Sequence, residues 1–242
     1  MASPPDLSAS TTWRRELPGG LRWALSGGAD LSDRAAGAEG ARAARAALAA
    51  DVGAPPERLL VAHQVHGDGA VVARGPWDGP PPDADALVTD VPGLVLAVLV
   101  ADCVPVLLAD PAAGVVGVAH AGRRGMDTGV VGAAVALMGE LGADAGRTRA
   151  LLGPSVCARC YEVPAAMRDD VAGRHPVTAS RTWTGTPSLD VAAGVLEQLA
   201  ALGVAAEQLP GCTVEDESLG SVRRSGPDAP RWAGLVWKEA SA

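Results

Sequence analysis

The 242-residue sequence contains no phenylalanine, one tyrosine and four histidines. With aromatics at 3%, the six tryptophans are expected to supply most of the large core or ligand-stacking surface. Basic residues are outnumbered, 20 Lys and Arg against 28 Asp and Glu, for a net charge of -8. That balance argues against nucleic acid or an anionic membrane surface as the main partner, because both select basic faces. A small anion stays compatible, since a few local arginines bind one inside an acidic protein. No apolar run approaches the roughly 20 residues of a membrane-spanning helix; the longest covers residues 94–101. The opening residues lack the basic-then-apolar pattern of a secretory signal. Four cysteines are not needed as staples in a chain whose apolar content is 48%. They read as thiols, ligands or catalysts in a reducing compartment, which points to a cytoplasmic protein.

At about 150 residues per domain the length does not require two domains. Residues 1–12 read as a flexible tail and 13–242 as one catalytic domain. Near-continuous aliphatic runs at 94–100, 104–108 and 114–120 predict strands covered on both faces. Shorter strands are expected at 21–26, 58–62, 87–89, 149–152, 221–222 and 232–237, with 71–73 as a hairpin return of 58–62. Helical spacing predicts helices over 32–51, 129–141, 164–173 and 189–202. The fold class that follows is α/β, a single mixed-sheet α/β domain.

Three segments set reactive side chains at strand ends beside glycine or proline: Gln64-Val65-His66-Gly67, Ala101-Asp102-Cys103-Val104-Pro105 and His120-Ala121-Gly122-Arg123-Arg124-Gly125. Strand ends that share a crevice are where α/β proteins place ligands. His66, Cys103 and His120 together offer two imidazoles and a thiolate, a sound set for zinc with a fourth position left open. The same trio also suits a Cys nucleophile with a His base and no metal. Taken singly, such a Cys is an ordinary buried hydrophobe and such a His is satisfied by a nearby carbonyl. His63, three residues before His66, falls on the opposite face and reads as structural. His175 reads as a solvated surface residue. Cys157-Ala158-Arg159-Cys160 is a lone C-x-x-C without the second pair that a zinc reading requires. Arg124, next to Gly125, is the better anion candidate of its pair, and Arg223-Arg224 is the other Arg pair. Among Asp102, Glu162 and Asp190, each able to polarise a His, bind a hydroxyl or cap backbone, Asp102 is the strongest catalytic candidate because it adjoins Cys103.

The ordered motifs Q-V-H-G, A-D-A-L-V-T-D, A-D-C-V-P-V-L-L-A-D-P, G-V-A-H-A-G-x-R-G, C-Y-E-V and C-T-V-E with a closing S-V-R-R span residues 64–237. They resemble the YfiH-type family, long labelled multicopper polyphenol oxidoreductases (laccases) and later assigned as purine nucleoside phosphorylases. The resemblance implies a domain similar to the catalytic domain of cytotoxic necrotizing factor. It also implies zinc held by His66, Cys103 and His120, with Cys103, His120 and Asp102 at the catalytic centre. The implied reaction is phosphorolysis of adenosine, guanosine, inosine or methylthioadenosine, with adenosine deamination through the water that an open zinc position activates. Arg124, Gln64, Arg223 and Arg224 are the implied contacts for substrate and phosphate. Purine nucleosides and phosphate are then the partners, with no nucleic acid and no membrane; monomer and homodimer both remain open. The chain departs from the family where Arg123 replaces the Trp of H-A-G-W-R-G, and where 157–163 replace G-P-C-C-Y-E-V. Rival expectations are a Cys-His amide hydrolase acting on cell-wall precursors and a metal-binding relative that has lost activity. Copper is the weaker expectation, because four histidines cannot furnish a multinuclear cluster and a blue-copper centre together.

Overall fold

A computed structural model describes residues 10–27, 30–33 and 37–240. Its first half contains β1 (Ser10–Leu17), β2 (Leu21–Gly27), α1 (Gly37–Asp51), β3 (Leu59–Val61), β4 (Ala70–Val72), β5 (Ala86–Thr89), β6 (Val95–Val100), β7 (Val104–Asp110) and β8 (Val115–Ala121). There follow α2 (Arg123–Thr128), α3 (Val130–Glu140), β9 (Arg149–Leu152), α4 (Ala165–Arg174), β10 (Ala179–Arg181), β11 (Pro187–Leu189), α5 (Val191–Ala201), β12 (Ala205–Gln208), α6 (Val222–Ser225) and β13 (Trp232–Lys238). Two mixed sheets carry the fold, in strand orders β1-β2-β13-β6-β3 and β12-β9-β7-β8-β5-β4; β10 and β11 form a small ribbon.

The two sheets stack face to face, and the period-2 alternation of each strand decides what every residue meets. Leu96 and Val98 of β6 pack against Leu107 of β7 and Val116 and Val118 of β8 in the seam between the sheets. Val95 and Ala97 face the opposite way, onto Leu48 and Ala49 of α1. On the far side of the larger sheet, Val106, Leu108 and Ala119 meet Val130, Ala134 and Met138 of α3 and Val195 and Leu199 of α5. The result is a helix–sheet–sheet–helix sandwich, which explains why β6, β7 and β8 are apolar on both faces. Truncating a seam leucine such as Leu107, which is fully buried, would cost about 2–5 kcal/mol.

Several expectations change. One mixed sheet becomes two, because an alternating strand does not reveal which sheet it joins. Residues 70–72 do not return on β3; β4 pairs in parallel with β5 in the other sheet. Residues 221–222 are not a strand: Ser221 caps α6, its hydroxyl accepting from the Arg224 N–H at 3.1 Å. Of the expected tail, residues 1–9 lie outside the described residues, and Ser10 to Thr12 belong to β1. The expected start of α1 near Ser32 falls partly on residues outside the description. Trp23, Trp232 and Trp237 are buried, but the largest fully buried side chains are leucines and methionines, and Trp183 is 72% exposed. His175 is half-buried with Nε2 3.4 Å from Asp127, not solvated. Among the described residues, no helix is long and apolar enough to cross a membrane.

Candidate active site

His120 is an even-numbered residue of β8, so it shares the seam face with Val116 and Val118, at the end of the strand. Cys103 sits in the turn between β6 and β7, packed against the same seam. His66 lies beyond β3 in a left-handed conformation, φ 60°. Residues 66, 103 and 120 thus converge, and their ligating atoms all lie within 4.8 Å of one another. The two imidazole centroids are 4.7 Å apart in an edge-to-face arrangement. His120 is 3% exposed, whereas His66 is open to solvent.

One residue organises the trio, and it was not singled out in the sequence. Asp85, 1% exposed, accepts the Nδ1–H of His120 at 2.8 Å on Oδ1. The same carboxylate accepts the backbone N–H groups of Val65 at 3.2 Å, His66 at 3.0 Å and Gly67 at 2.7 Å. Those four bonds fill its acceptor capacity, so the buried charge is fully compensated. With Nδ1 engaged, His120 presents Nε2 to the other members of the trio. Burial works against ionisation, yet the His120 hydrogen bond and the Gly67 and His66 N–H groups hold the Asp85 carboxyl below its usual range. The signal available in the sequence was the Asp of A-D-A-L-V-T-D, which has the look of an ordinary strand-initiating residue.

Burial opposes the Cys103 thiolate, but the adjoining His120 and His66 outweigh it and bring the thiol down to about 6. Burial likewise opposes charge on His120, while Cys103 and Asp85 raise it to about 9. Each group thus favours the charged form of the other. Two imidazoles and a thiolate, one imidazole anchored by a buried carboxylate, form a donor set that fits zinc. Gly122 and Gly125 allow the close approach: a Cβ at 122 would stand 3.0 Å from Cys103 Sγ, and one at 125 would stand 2.8 Å from the Gly67 carbonyl oxygen.

The remaining predicted residues separate into two groups. Asp102, in a left-handed conformation at φ 91°, binds hydroxyls and caps backbone. Its Oδ1 accepts Thr213 Oγ1 at 2.6 Å and Ser221 Oγ at 2.7 Å, and its Oδ2 accepts the Arg223 N–H at 2.8 Å. The imidazole partner is therefore Asp85, and Asp102 anchors α6. Gln64 gives its amide to β6, donating to the Leu99 carbonyl and accepting the Leu99 N–H, both at 2.8 Å. Arg224 turns away from the trio to the carbonyls of Thr213, Asp216 and Leu219. Arg123, Arg124, Arg223 and Tyr161 line a cleft of about 1270 Å³ that also contains Gln64, His66, Asp102, Cys103 and His120, whereas Arg224 lies outside it. The Arg223 guanidinium lies 4.5 Å from the Tyr161 ring centroid and donates to the Glu162 carbonyl at 2.8 Å. Asp190 caps α5 by accepting the Ala193 N–H at 2.9 Å. His63 pairs with Asp83 at 2.7 Å, outside the trio.

Residues 26–239 match the multi-copper polyphenol oxidoreductase laccase family. The chain belongs to this family. It is 52% identical over 191 residues to a purine nucleoside phosphorylase of Streptomyces coelicolor, covering 78% of each chain. A purine nucleoside phosphorylase of Deinococcus radiodurans is 36% identical over 222 residues, 89% of this chain and 84% of that one. The fold is similar to that of a Neisseria meningitidis family protein, with TM-score 0.83, 28% identity and coverage of 96% and 100%. It is equally similar to YlmD from Geobacillus stearothermophilus, with TM-score 0.83, 25% identity and coverage of 91% and 93%. The family's laccase label sits beside phosphorylase-named relatives, so the chemistry must be argued from the cleft.

Proposed function

We propose that the chain is a zinc-dependent purine nucleoside phosphorylase that also deaminates adenosine. The observation that carries the reading is the convergence of His66, Cys103 and His120 in a cleft walled by arginines and one stacked aromatic. The phosphorylase-named relatives support the substrate class. Tyr161 and the Arg223 guanidinium form a flat wall on which a purine stacks. Arg124, with Arg123 beside it, holds the phosphate by charge and forked hydrogen bonds. In phosphorolysis a phosphate oxygen forms a bond to the ribose C1′ as the C1′–N9 bond breaks. The electron pair leaves on the base, which takes up a proton. His66, Cys103 and His120 would hold the zinc, which supplies Lewis acidity and a lowered water pKa when bound. Asp85 keeps His120 in the tautomer that presents Nε2 and fixes the backbone at His66.

The deciding assay incubates the zinc-loaded protein with adenosine, with and without phosphate, and separates the products. Phosphate-dependent adenine and ribose 1-phosphate are expected, with inosine formed independently of phosphate. Zinc bound with neither product would favour a metal-holding relative without catalysis or an enzyme acting on an amide. A second reading has its own support: the Cys103 thiol brought down to about 6 beside His120, itself oriented by Asp85, is the arrangement of a Cys-His amide hydrolase acting on cell-wall precursors. In that case chelation leaves turnover intact, whereas in the phosphorylase chelation abolishes it and zinc restores it.

A further inference from the structure

The C-x-x-C pair that lacked a partner in the sequence gains one in the fold. Cys157, Cys160, Cys212 and Glu215 bring three sulfurs and a carboxylate oxygen within 4.8 Å of one another. They come from two turns of the same build. In the first, the Cys160 and Tyr161 N–H groups both donate to the Cys157 carbonyl at 3.0 Å. In the second, the Glu215 and Asp216 N–H groups donate to the Cys212 carbonyl at 3.0 and 2.9 Å. Each turn offers a ligand at its first and fourth positions, C-x-x-C and C-x-x-E. The turns are joined by a bridge between Ser155 and Cys212, and the Cys157 N–H points at Cys212 Sγ at 3.4 Å.

We propose that Cys157, Cys160, Cys212 and Glu215 form a second metal site that binds zinc with four protein ligands and serves a structural role. Zinc–sulfur bonds of about 2.3 Å set tetrahedral edges of roughly 3.8 Å, so the four atoms need only contract slightly. A donor set of three thiolates selects a soft divalent cation over magnesium or calcium. A disulfide explains the cluster less well, because it would join two sulfurs and leave the third thiol and Glu215 packed against it. Cys160 Sγ donates to Glu215 Oε1 at 3.4 Å, so the carboxylate already faces the sulfurs.

The location gives the site a task. Tyr161, in the cleft wall, follows Cys160, and Thr213, which holds Asp102, follows Cys212. Closing the two turns around an ion fixes both walls of the neighbouring cleft. The inference does not depend on the reaction proposed above, and its test uses no turnover measurement.

The experiment purifies the full chain under reductant, with zinc supplied, and measures zinc by atomic emission in Cys103→Ser and Cys103→Ser/Cys160→Ser. Cys103→Ser removes the only thiolate of the other trio. We expect it to retain one zinc per chain and, with cobalt in place of zinc, to show sulfur-to-cobalt charge-transfer absorption. Both signals should fall to background in the double variant. If the double variant does not fold, Cys103→Ser/Glu215→Ala replaces it, keeping three thiolates but yielding its metal to chelator roughly tenfold more readily. Cys103→Ser protein without zinc, or zinc retained without any thiolate–cobalt absorption, overturns the proposal. So does a Cys157–Cys160 disulfide that persists under reductant with zinc in excess.

Discussion

Asp85 Oδ1 lies 2.8 Å from Nδ1 of His120, and both side chains are buried. The same carboxylate gathers the backbone of residues 65–67, so one charge sets both histidines of the trio. Asp85→Asn would keep the shape but place an NH₂ group against N–H donors that need an acceptor. Metal affinity is expected to fall about 10–100-fold, measured by chelator competition, with the circular dichroism of the folded chain retained. An unchanged affinity would remove Asp85 from its organising role.

Gly122 tests how tightly the trio is packed. A methyl group there would meet Cys103 Sγ at 3.0 Å and His66 Cδ2 at 3.1 Å. Gly122→Ala is expected to cost about 1–3 kcal/mol of stability through overpacking and to weaken zinc binding by forcing His66 outward. Urea denaturation and zinc titration on the same preparation separate the two effects. Zinc affinity equal to wild type would mean that the loop yields freely.

Arg124 and Arg224 should behave differently. Arg124→Ala is expected to raise the KM for phosphate at least about tenfold with a smaller effect on the nucleoside, as for loss of a charge-assisted contact. Arg224→Ala should act on folding instead, costing about 1–3 kcal/mol, because carbonyls at 213, 216 and 219 lose their donor. Initial-rate kinetics and thermal melts read the two outcomes; a reversed pattern would exchange the roles assigned to Arg124 and Arg224.

Asp110 gives the pH dependence. Its side chain is fully buried and accepts from Ala112 and Ala113 N–H at 2.9 and 3.2 Å, Asp144 N–H at 2.9 Å and Arg147 Nη2 at 3.0 Å. Burial pushes the carboxyl up, but these donors together hold it below its ordinary value. Its stabilisation is therefore complete above the unfolded value of about 4 and is lost as the pH falls through the lower folded value. Asp110→Asn is expected to cost about 2–3 kcal/mol at pH 7, with the gap to wild type closing in acid. Urea melts across pH 2–7 measure it; a gap that stays constant with pH would contradict the assignment.

Much of the layered architecture was legible because burial leaves a local imprint. Residues 94–100, 104–108 and 114–120 are near-continuous aliphatic runs, and they became most of β6, β7 and β8, covered on both sides. The stripe in 189–202 became α5, and residues 232–237 became part of β13. The trio was nameable because two imidazoles and a thiol beside Gly67, Pro105 and Gly122 are unusual in such apolar company. Which sheet each strand joins left no such imprint, since a strand reads alike from either sheet. The return of 70–72 to β5 instead of β3 was lost for that reason.

The amino-acid order by itself determined the buried strands, the helix stripes and the reactive residue types at strand ends, because those follow from periodicity along a few neighbours. Tertiary structure alone decided which groups share a charge. Asp85 reaches His120 across 35 positions, Asp102 reaches Thr213 and Ser221 across 111 and 119, and Cys157 meets Cys212 across 55. Hydrogen bonds and ligand contacts act over a few ångströms of space, and a sequence records only distance along the chain.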